Sequence, residues 1–222
     1  MSDRTTPPAE RLLIVGTGGL GRETLWVARE AGVREIGFLD DGFTGEARSV
    51  DGAQVVGRIA DWAEHDAEIV VAIGSPRVRR DVVGRIEAAG SPRFATLVHP
   101  SVRIGQNVTI GPGAIIAAQT VLSCDVVIGA HAVIGINVLV SHDCRFGDFV
   151  TIAPGVTVPG TVTGGAGCEV ALNATMRQGT SLGIGSMVGM GAVVTRDVPD
   201  NILCYGAPAR EIRPLPPFES RA

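Results

Sequence analysis

No lysine occurs anywhere in the 222 residues: all 19 basic side chains are arginine, and with 23 acidic residues the formal net charge is −4. That balance gives no field of clustered cations of the kind nucleic acid requires, and the missing lysine reads as codon bias of a GC-rich genome. Aromatic residues make up only 4% of the chain, which argues against a core built on large rings, whereas 30 glycines suit repeated tight turns. The four cysteines, Cys124, Cys144, Cys168 and Cys204, nowhere show CxxC spacing, which speaks against a zinc ribbon or a redox pair. Met1 to Arg11 contain no apolar signal-peptide segment, and no stretch approaches the roughly 20 apolar residues of a membrane span. With 45% hydrophobic and 19% charged residues, the composition reads as soluble, globular and cytoplasmic, with one large or two small domains and neither nucleic acid nor membrane as partner.

What is present divides in two. Residues 1–10 read as a disordered start and residues 11–97 as a Rossmann-like α/β unit. Arg11 to Val15 is an apolar strand that runs into the turn Gly16-Thr17-Gly18-Gly19-Leu20-Gly21. An amphipathic helix follows, with Leu25, Val27, Ala28 and Ala31 on its apolar side and Gly32 at its C-cap. A second strand, Ile36 to Leu39, delivers Asp40 and Asp41; a third, Glu68 to Ile73, ends at Gly74-Ser75, and Pro76 opens a helix to about Ala89. Strand, glycine turn, helix, strand is the βαβ pattern of nucleotide-binding folds. Glycines let backbone approach a ligand, the helix N-terminus attracts phosphate, and an acidic residue beyond the second strand can accept a hydrogen bond from ribose. The alternative is a turn that only packs helix on strand. Fewer than 90 residues hold one mononucleotide-type unit, not a doubled NAD fold.

From Val98 the chain falls into sixes without insertion. Sixteen hexads reach Val193; fifteen first positions are large and apolar (Val98, Ile104, Ile110, Ile116 and onward to Val188), the exception being Gly164. The fifth position is always Val, Ala, Thr, Ser or Cys, and includes Cys144 and Cys168. This period is not that of an amphipathic helix. It predicts an all-β left-handed parallel β-helix over residues 98–194, with three hexads per triangular coil, the first position inside and the fifth at a corner. Residues 195–222 leave the register as a C-terminal extension.

Of the four histidines, His65 and His99 read as solvated and His131 as part of an exposed turn. His142 occupies the third place of its hexad, projects outward and precedes Asp143, which makes it a candidate general base, since imidazole titrates near neutrality and a carboxylate supports its protonated form. An ordinary surface His–Asp pair would look the same in sequence. Gly160 lies one 18-residue coil beyond His142, where an uncovered backbone N–H could stabilise the oxyanion of acyl transfer.

The glycine turn, Phe38-Leu39-Asp40-Asp41, Ala72-Ile73-Gly74, Leu97-Val98-His99-Pro100, Ser141-His142-Asp143 and Gly206-Ala207-Pro208-Ala209-Arg210, taken in order, resemble the NeuD/PglD-like sugar acyltransferases over about residues 10 to 213. The resemblance implies an acetyl-CoA-dependent N-acetyltransferase without a metal, acting on a UDP-, GDP- or dTDP-linked amino-deoxy sugar. It further implies a homotrimer with active sites between subunits. In such a protein the histidine matching His142 takes a proton from the sugar amine, helped by the acidic neighbour matching Asp143, which is Glu in many members. Gly18, Gly19, Leu20, Asp40, Asp41 and Gly74 match nucleotide-sugar positions. Thr151, Leu172, Gly189 and Met190 match positions along the acetyl-CoA groove, with Thr151 replacing a histidine of some members. O-acetylation of a sialic-acid-type hydroxyl is the alternative within the family. Outside it stand a zinc hydratase on the same prism, for which His131 and His142 lack the three-histidine spacing, and a nucleotide-binding scaffold without catalysis.

Overall fold

The computed structural model describes residues 9–218; most of the expected disordered start, and the last four residues of the expected extension, lie outside that range. Arg11–Val15 (β1), Glu35–Leu39 (β2), Ser49–Val50 (β3), Ala53–Gly57 (β4) and Glu68–Val71 (β5) form one sheet in the order β3-β4-β2-β1-β5. It is parallel except at β3–β4. β1 is almost wholly buried because it lies in the sheet interior between the helices Gly19–Glu30 (α1), which packs on Leu12 and Ile14, and Pro76–Ala88 (α2), which packs on Leu13 and Val15. α1 turns Leu25, Val27 and Ala28 inward and stops where Gly32 takes φ +88°. β3, β4 and the 3-10 turn Ile59–Glu64 went unread in the sequence: Ala53-Gln54-Val55-Val56-Gly57 is short and ends in glycine, so its alternation of buried and exposed residues looks like a loop.

Seventeen two-residue strands (β6 to β22) then recur every six residues, from Leu97–Val98 to Val193–Val194, and stack in parallel at intervals of 18 residues into three sheets. This is the β-helix. The first face carries Ile115–Ile116, Val133–Ile134, Thr151–Ile152 and Glu169–Val170; the second carries Val121–Leu122, Leu139–Val140 and Thr157–Val158; the third carries Val127–Ile128, Arg145–Phe146 and Thr163–Gly164. First-position side chains such as Ile116, Ile134, Val140 and Val158 are fully buried, as are the corner residues Val126, Cys144 and Cys168. Gly164, the one small first-position residue, has a steric reason: a side chain there would run into Phe146, its partner on the coil before, and into the sulfur of Cys168. A large residue and a missing one share one layer of the core.

One expectation needs correction, at the start of the prism. Ile104 is 43% exposed although it is a first-position residue, because the first coil is the open end of the prism. At the other end the inward register includes Val194, after which the chain slips by two residues: Val198 bridges Leu182 and Leu203 pairs with Met187, each 16 residues on instead of 18. The hairpin of Ile202–Gly206 (β23) and Ala209–Pro214 (β24) then extends the first face. The N-terminal unit packs on that same face, where Ile115 and Val133 join its core.

Candidate active site

His142 stands at the corner between the second and third faces, in the turn after Leu139–Val140. Its Nδ1 lies 2.8 Å from Oδ2 of Asp143, and both side chains are about half exposed (50% and 57%). Asp143 adopts φ +60°, a left-handed conformation that Asp tolerates through its short polar side chain. Its amide donates to the carbonyl of Cys124 one coil below, and Thr161 donates to the carbonyl of His142 one coil above. The imidazole lies across Gly160, where any side chain would overlap Cε1 and Nε2. Gly160 thus makes room for the ring itself. With Nδ1 engaged by Asp143, Nε2 is the nitrogen left for a substrate.

The second cluster is the carboxyl edge of the α/β sheet. Gly16 takes φ +101°, and a Cβ on Gly21 would collide with the Gly16 carbonyl, so the turn closes only with glycine at both places. At Gly18 and Gly19 the space is open, leaving the N-terminus of α1 accessible. Leu20 is half-buried on α1 against the core. Asp40 and Asp41 differ sharply. Asp40 accepts from the Thr17 hydroxyl (2.6 Å), the Thr17 amide (3.1 Å) and the Gly42 amide (2.9 Å), so its carboxylate is committed to shaping the glycine turn. Burial alone would raise its pKa, but these hydrogen bonds and the charge of Arg48 outweigh it and hold the carboxyl below its usual range. Asp41 accepts from the Ile59 amide at 3.3 Å and pairs with Arg85 at 3.2 Å, with 52% of its side chain exposed. An exposed pair is worth about 0–1 kcal/mol, so a ligand can compete for that carboxylate.

Gly74 does not face open solvent alone. Its carbonyl accepts from Thr151 Oγ1 at 2.9 Å and from Arg79 at 3.0 Å, which ties the sheet edge to the β-helix. Thr151, half-buried on the first face, also accepts from Arg79 at 2.9 Å, so its hydroxyl is committed to this joint. Leu172 (47% exposed) and Met190 (62%) stand one coil apart at the corner between the first and second faces and present an apolar strip to solvent. Gly189 lies under the ring of Tyr205 from β23, where a side chain would strike the ring. The structure therefore brings His142, Asp143 and Gly160 together on one corner, Leu172, Gly189 and Met190 on another, and Gly18, Asp41 and Gly74 along the sheet edge.

Three residues are not as the sequence suggested. His99 is buried, with Nδ1 2.8 Å from Ser101 Oγ and its ring 4.9 Å from that of Trp26. His131 is 5% exposed, stacked on Phe149 and edge-on to Phe94, and burial pushes its pKa down to about 4, aided by the charge of Arg79. Both became buried because the α/β unit covers the first face, which hexad position alone does not reveal. Arg79 was missed altogether. It is fully buried, yet it shares the i, i+3, i+4, i+7 stripe of Val82, Val83 and Ile86, and a guanidinium in an apolar stripe was the available signal.

Among the described residues no group of three His, Cys, Asp or Glu side chains could hold a metal ion, and no helix is long and apolar enough to cross a membrane. Residues 11–86 match the PglD N-terminal domain. A GDP-perosamine N-acetyltransferase of Escherichia coli is 32% identical over 216 residues, covering 91% of this chain and 96% of that protein. The acetyltransferase domain of PglB from Neisseria gonorrhoeae, solved with acetyl coenzyme A, superposes with a TM-score of 0.85 at 31% identity, over 91% of this chain and 99% of that one. A histidine-to-asparagine mutant of perosamine N-acetyltransferase from Caulobacter crescentus, solved with CoA and GDP-perosamine, gives a TM-score of 0.84 at 28% identity, over 91% and 97% of the two chains.

Proposed function

Because the chain belongs to the PglD-type family of nucleotide-sugar N-acetyltransferases, we propose that it transfers the acetyl group of acetyl-CoA to the amine of a nucleotide-linked amino-deoxy sugar, with His142 as general base. The observation that carries this reading is the His142–Asp143 pair laid across Gly160 on an exposed corner of the prism. The full-length relatives named for GDP-perosamine make a GDP-linked 4-amino sugar the first acceptor to test.

Asp143 orients the imidazole through Nδ1, so Nε2 takes the proton that the amine loses as its nitrogen bonds to the acyl carbon. The same Nε2 returns a proton to the departing thiolate sulfur, so the base is regenerated and charge balances. The Gly160 N–H, which donates to no backbone carbonyl among the described bonds, is the candidate donor toward the oxyanion. At the sheet edge, the α1 N-terminus at Gly18, Gly19 and Leu20 faces the diphosphate, Asp41 accepts from the nucleotide, and Gly74 shapes the floor. Asp40 serves by holding the turn. Leu172, Gly189 and Met190 give the acyl donor an apolar wall, with Thr151 adjoining.

That wall and His142 occupy different corners of one prism and face apart, so a groove with both walls needs a second copy. Among the described residues nothing covers the second face between these corners, with Leu139 (39%) and Val193 (37%) exposed, which supports packing into a homotrimer with sites between subunits. All four cysteines are free thiols, which supports a reaction in the reducing cytoplasm.

The test is thiol release from acetyl-CoA with GDP-, UDP- and dTDP-linked 4-amino and 3-amino sugars, followed by hydroxylamine treatment of the product. A hydroxylamine-resistant amide formed from one of these sugars supports the proposal. Turnover confined to hydroxyl acceptors, or none, removes it.

A further inference from the structure

We propose that Arg79 is a positioning residue: it sets the sheet edge that receives the nucleotide at a fixed distance from the coil that carries His142. The proposal rests on the two-site reading above. Arg79 lies in the first turn of α2, where the helix dipole disfavours a cation, and its side chain has no exposed surface. Its donors serve both sides of the boundary between the α/β unit and the β-helix. Nε donates to the carbonyl of His131 at 2.8 Å; one terminal nitrogen donates to Ile73 and Gly74, and the other to the carbonyls of Phe149 (2.8 Å) and Val150 (3.0 Å) and to Thr151 Oγ1 (2.9 Å). Two of these acceptors belong to the loop after β5 and four to the β-helix.

None of the six acceptors is a carboxylate. A buried cation hydrogen-bonded only to neutral oxygens, with the Glu169 carboxylate favouring its charge without bonding it, is an expensive way to pack a helix on a sheet, which an apolar side chain would do at lower cost. Burial lowers the Arg79 pKa to about 9, so the guanidinium still carries its charge at neutral pH. What a planar fork adds is direction, since five donors fix both partners in angle as well as distance. Thr151 reinforces the joint by donating to the Gly74 carbonyl that Arg79 already holds.

The coil that Arg79 grips is the one that matters for the chemistry. Phe149, Val150 and Thr151 follow His142 by seven to nine residues on the same turn of the prism, and His131 lies one coil below Phe149. On the other side Gly74 sits at the ligand edge of the sheet. An acceptor whose nucleotide is bound at that edge and whose amine must meet Nε2 spans two rigid bodies, and Arg79 fixes their mutual position. A misplacement of about 1 Å can cost on the order of 10²-fold in rate without weakening either ligand.

The experiment compares wild type with Arg79→Met, Thr151→Val and Thr151→Ser. It measures kcat at saturation of both substrates and, by calorimetry, the Kd and stoichiometry of acetyl-CoA and of GDP, UDP and dTDP separately. Positioning gives Arg79→Met a kcat lower by on the order of 10²-fold, with both Kd values within about twofold of wild type and full stoichiometry. Thr151→Val falls in the same direction, while Thr151→Ser, which keeps the hydroxyl, recovers most of the kcat that Thr151→Val loses. Should Arg79→Met not fold, the two Thr151 variants decide alone, since the arginine fork stays in place. Unchanged kcat, a loss matched by reduced stoichiometry, or weakening of one ligand only overturns the proposal. A wild-type protein that releases no CoA with any nucleotide-linked amino sugar would instead overturn the function on which it stands.

Discussion

His131 makes the stability of the protein depend on pH in a calculable way. Its ring is sealed between Phe94 and Phe149 at centroid distances of 4.5 and 5.1 Å, and its Nδ1 has no hydrogen-bond partner among the described residues. Burial there disfavours the cation, Arg79 adds a like charge, and Asp148 only partly compensates, which leaves a folded-state pKa of about 4 against 6.5 for the free side chain. Well above pH 6.5 both folded and unfolded chains hold this histidine neutral, so it contributes nothing. As pH falls from 6.5 toward 4 the unfolded chain takes up a proton that the folded chain refuses, and stability is lost throughout that window. Between pH 7.5 and 4.5 the loss from this one group is about 2.5 kcal/mol, a large part of an ordinary folding free energy. The perturbation is His131→Asn, which tolerates the left-handed φ of +54° at this position and carries no titrating ring. Urea unfolding followed by circular dichroism at both pH values, at one fixed protein concentration, gives the difference. The variant should be less stable at pH 7.5 because it loses the ring stack, but its own decline toward pH 4.5 should be smaller by about 2–3 kcal/mol. Equal declines in wild type and variant would refute a buried, neutral His131.

Gly160→Ala places a methyl group where the His142 ring lies; kcat should fall roughly 10- to 100-fold from misalignment of the base, with the melting curve little changed, and steady-state kinetics beside calorimetry checks both. Ile134→Asp puts a carboxylate at a fully buried first position, where an unpaired charge costs several kcal/mol. Insoluble protein is expected, and a soluble, active variant would contradict the inward register. Asp41→Ala should raise KM for the nucleotide-sugar by about 10- to 150-fold, for the loss of one or two hydrogen bonds to a carboxylate, and leave KM for acetyl-CoA unaltered. Equal weakening of both substrates would contradict separate sites.

The prism was legible because its constraint is periodic: every sixth residue must fill the same interior, and the sequence from Val98 onward repeats that demand without a break. The βαβ start was legible for a related reason, since Gly16 and Gly21 are places where backbone geometry admits little else. What escaped the sequence depends on one body covering another. His99 and His131 occupy positions that face solvent in an isolated prism and are buried only because the α/β unit rests on the first face. Arg79 belongs with Arg77 and Arg80 in a run that looks like a solvated helix start, and only its phase with Val82 and Ile86 sets it apart. The Asp40–Asp41 pair shows the remaining limit. Two adjacent carboxylates look alike in sequence, and their hydrogen bonds alone reveal that one holds the turn while the other stays available.

The most direct test of the account is single-enzyme kinetics of His142→Asn beside wild type, with a GDP-linked 4-amino sugar as acceptor, CoA release as signal and acetyl-CoA affinity measured separately. Loss of the general base should lower kcat on the order of 10²- to 10⁴-fold while acetyl-CoA binds as in wild type. Turnover within a few-fold of wild type would contradict the assignment of His142, and with it the reading of this corner of the prism as the centre of acyl transfer.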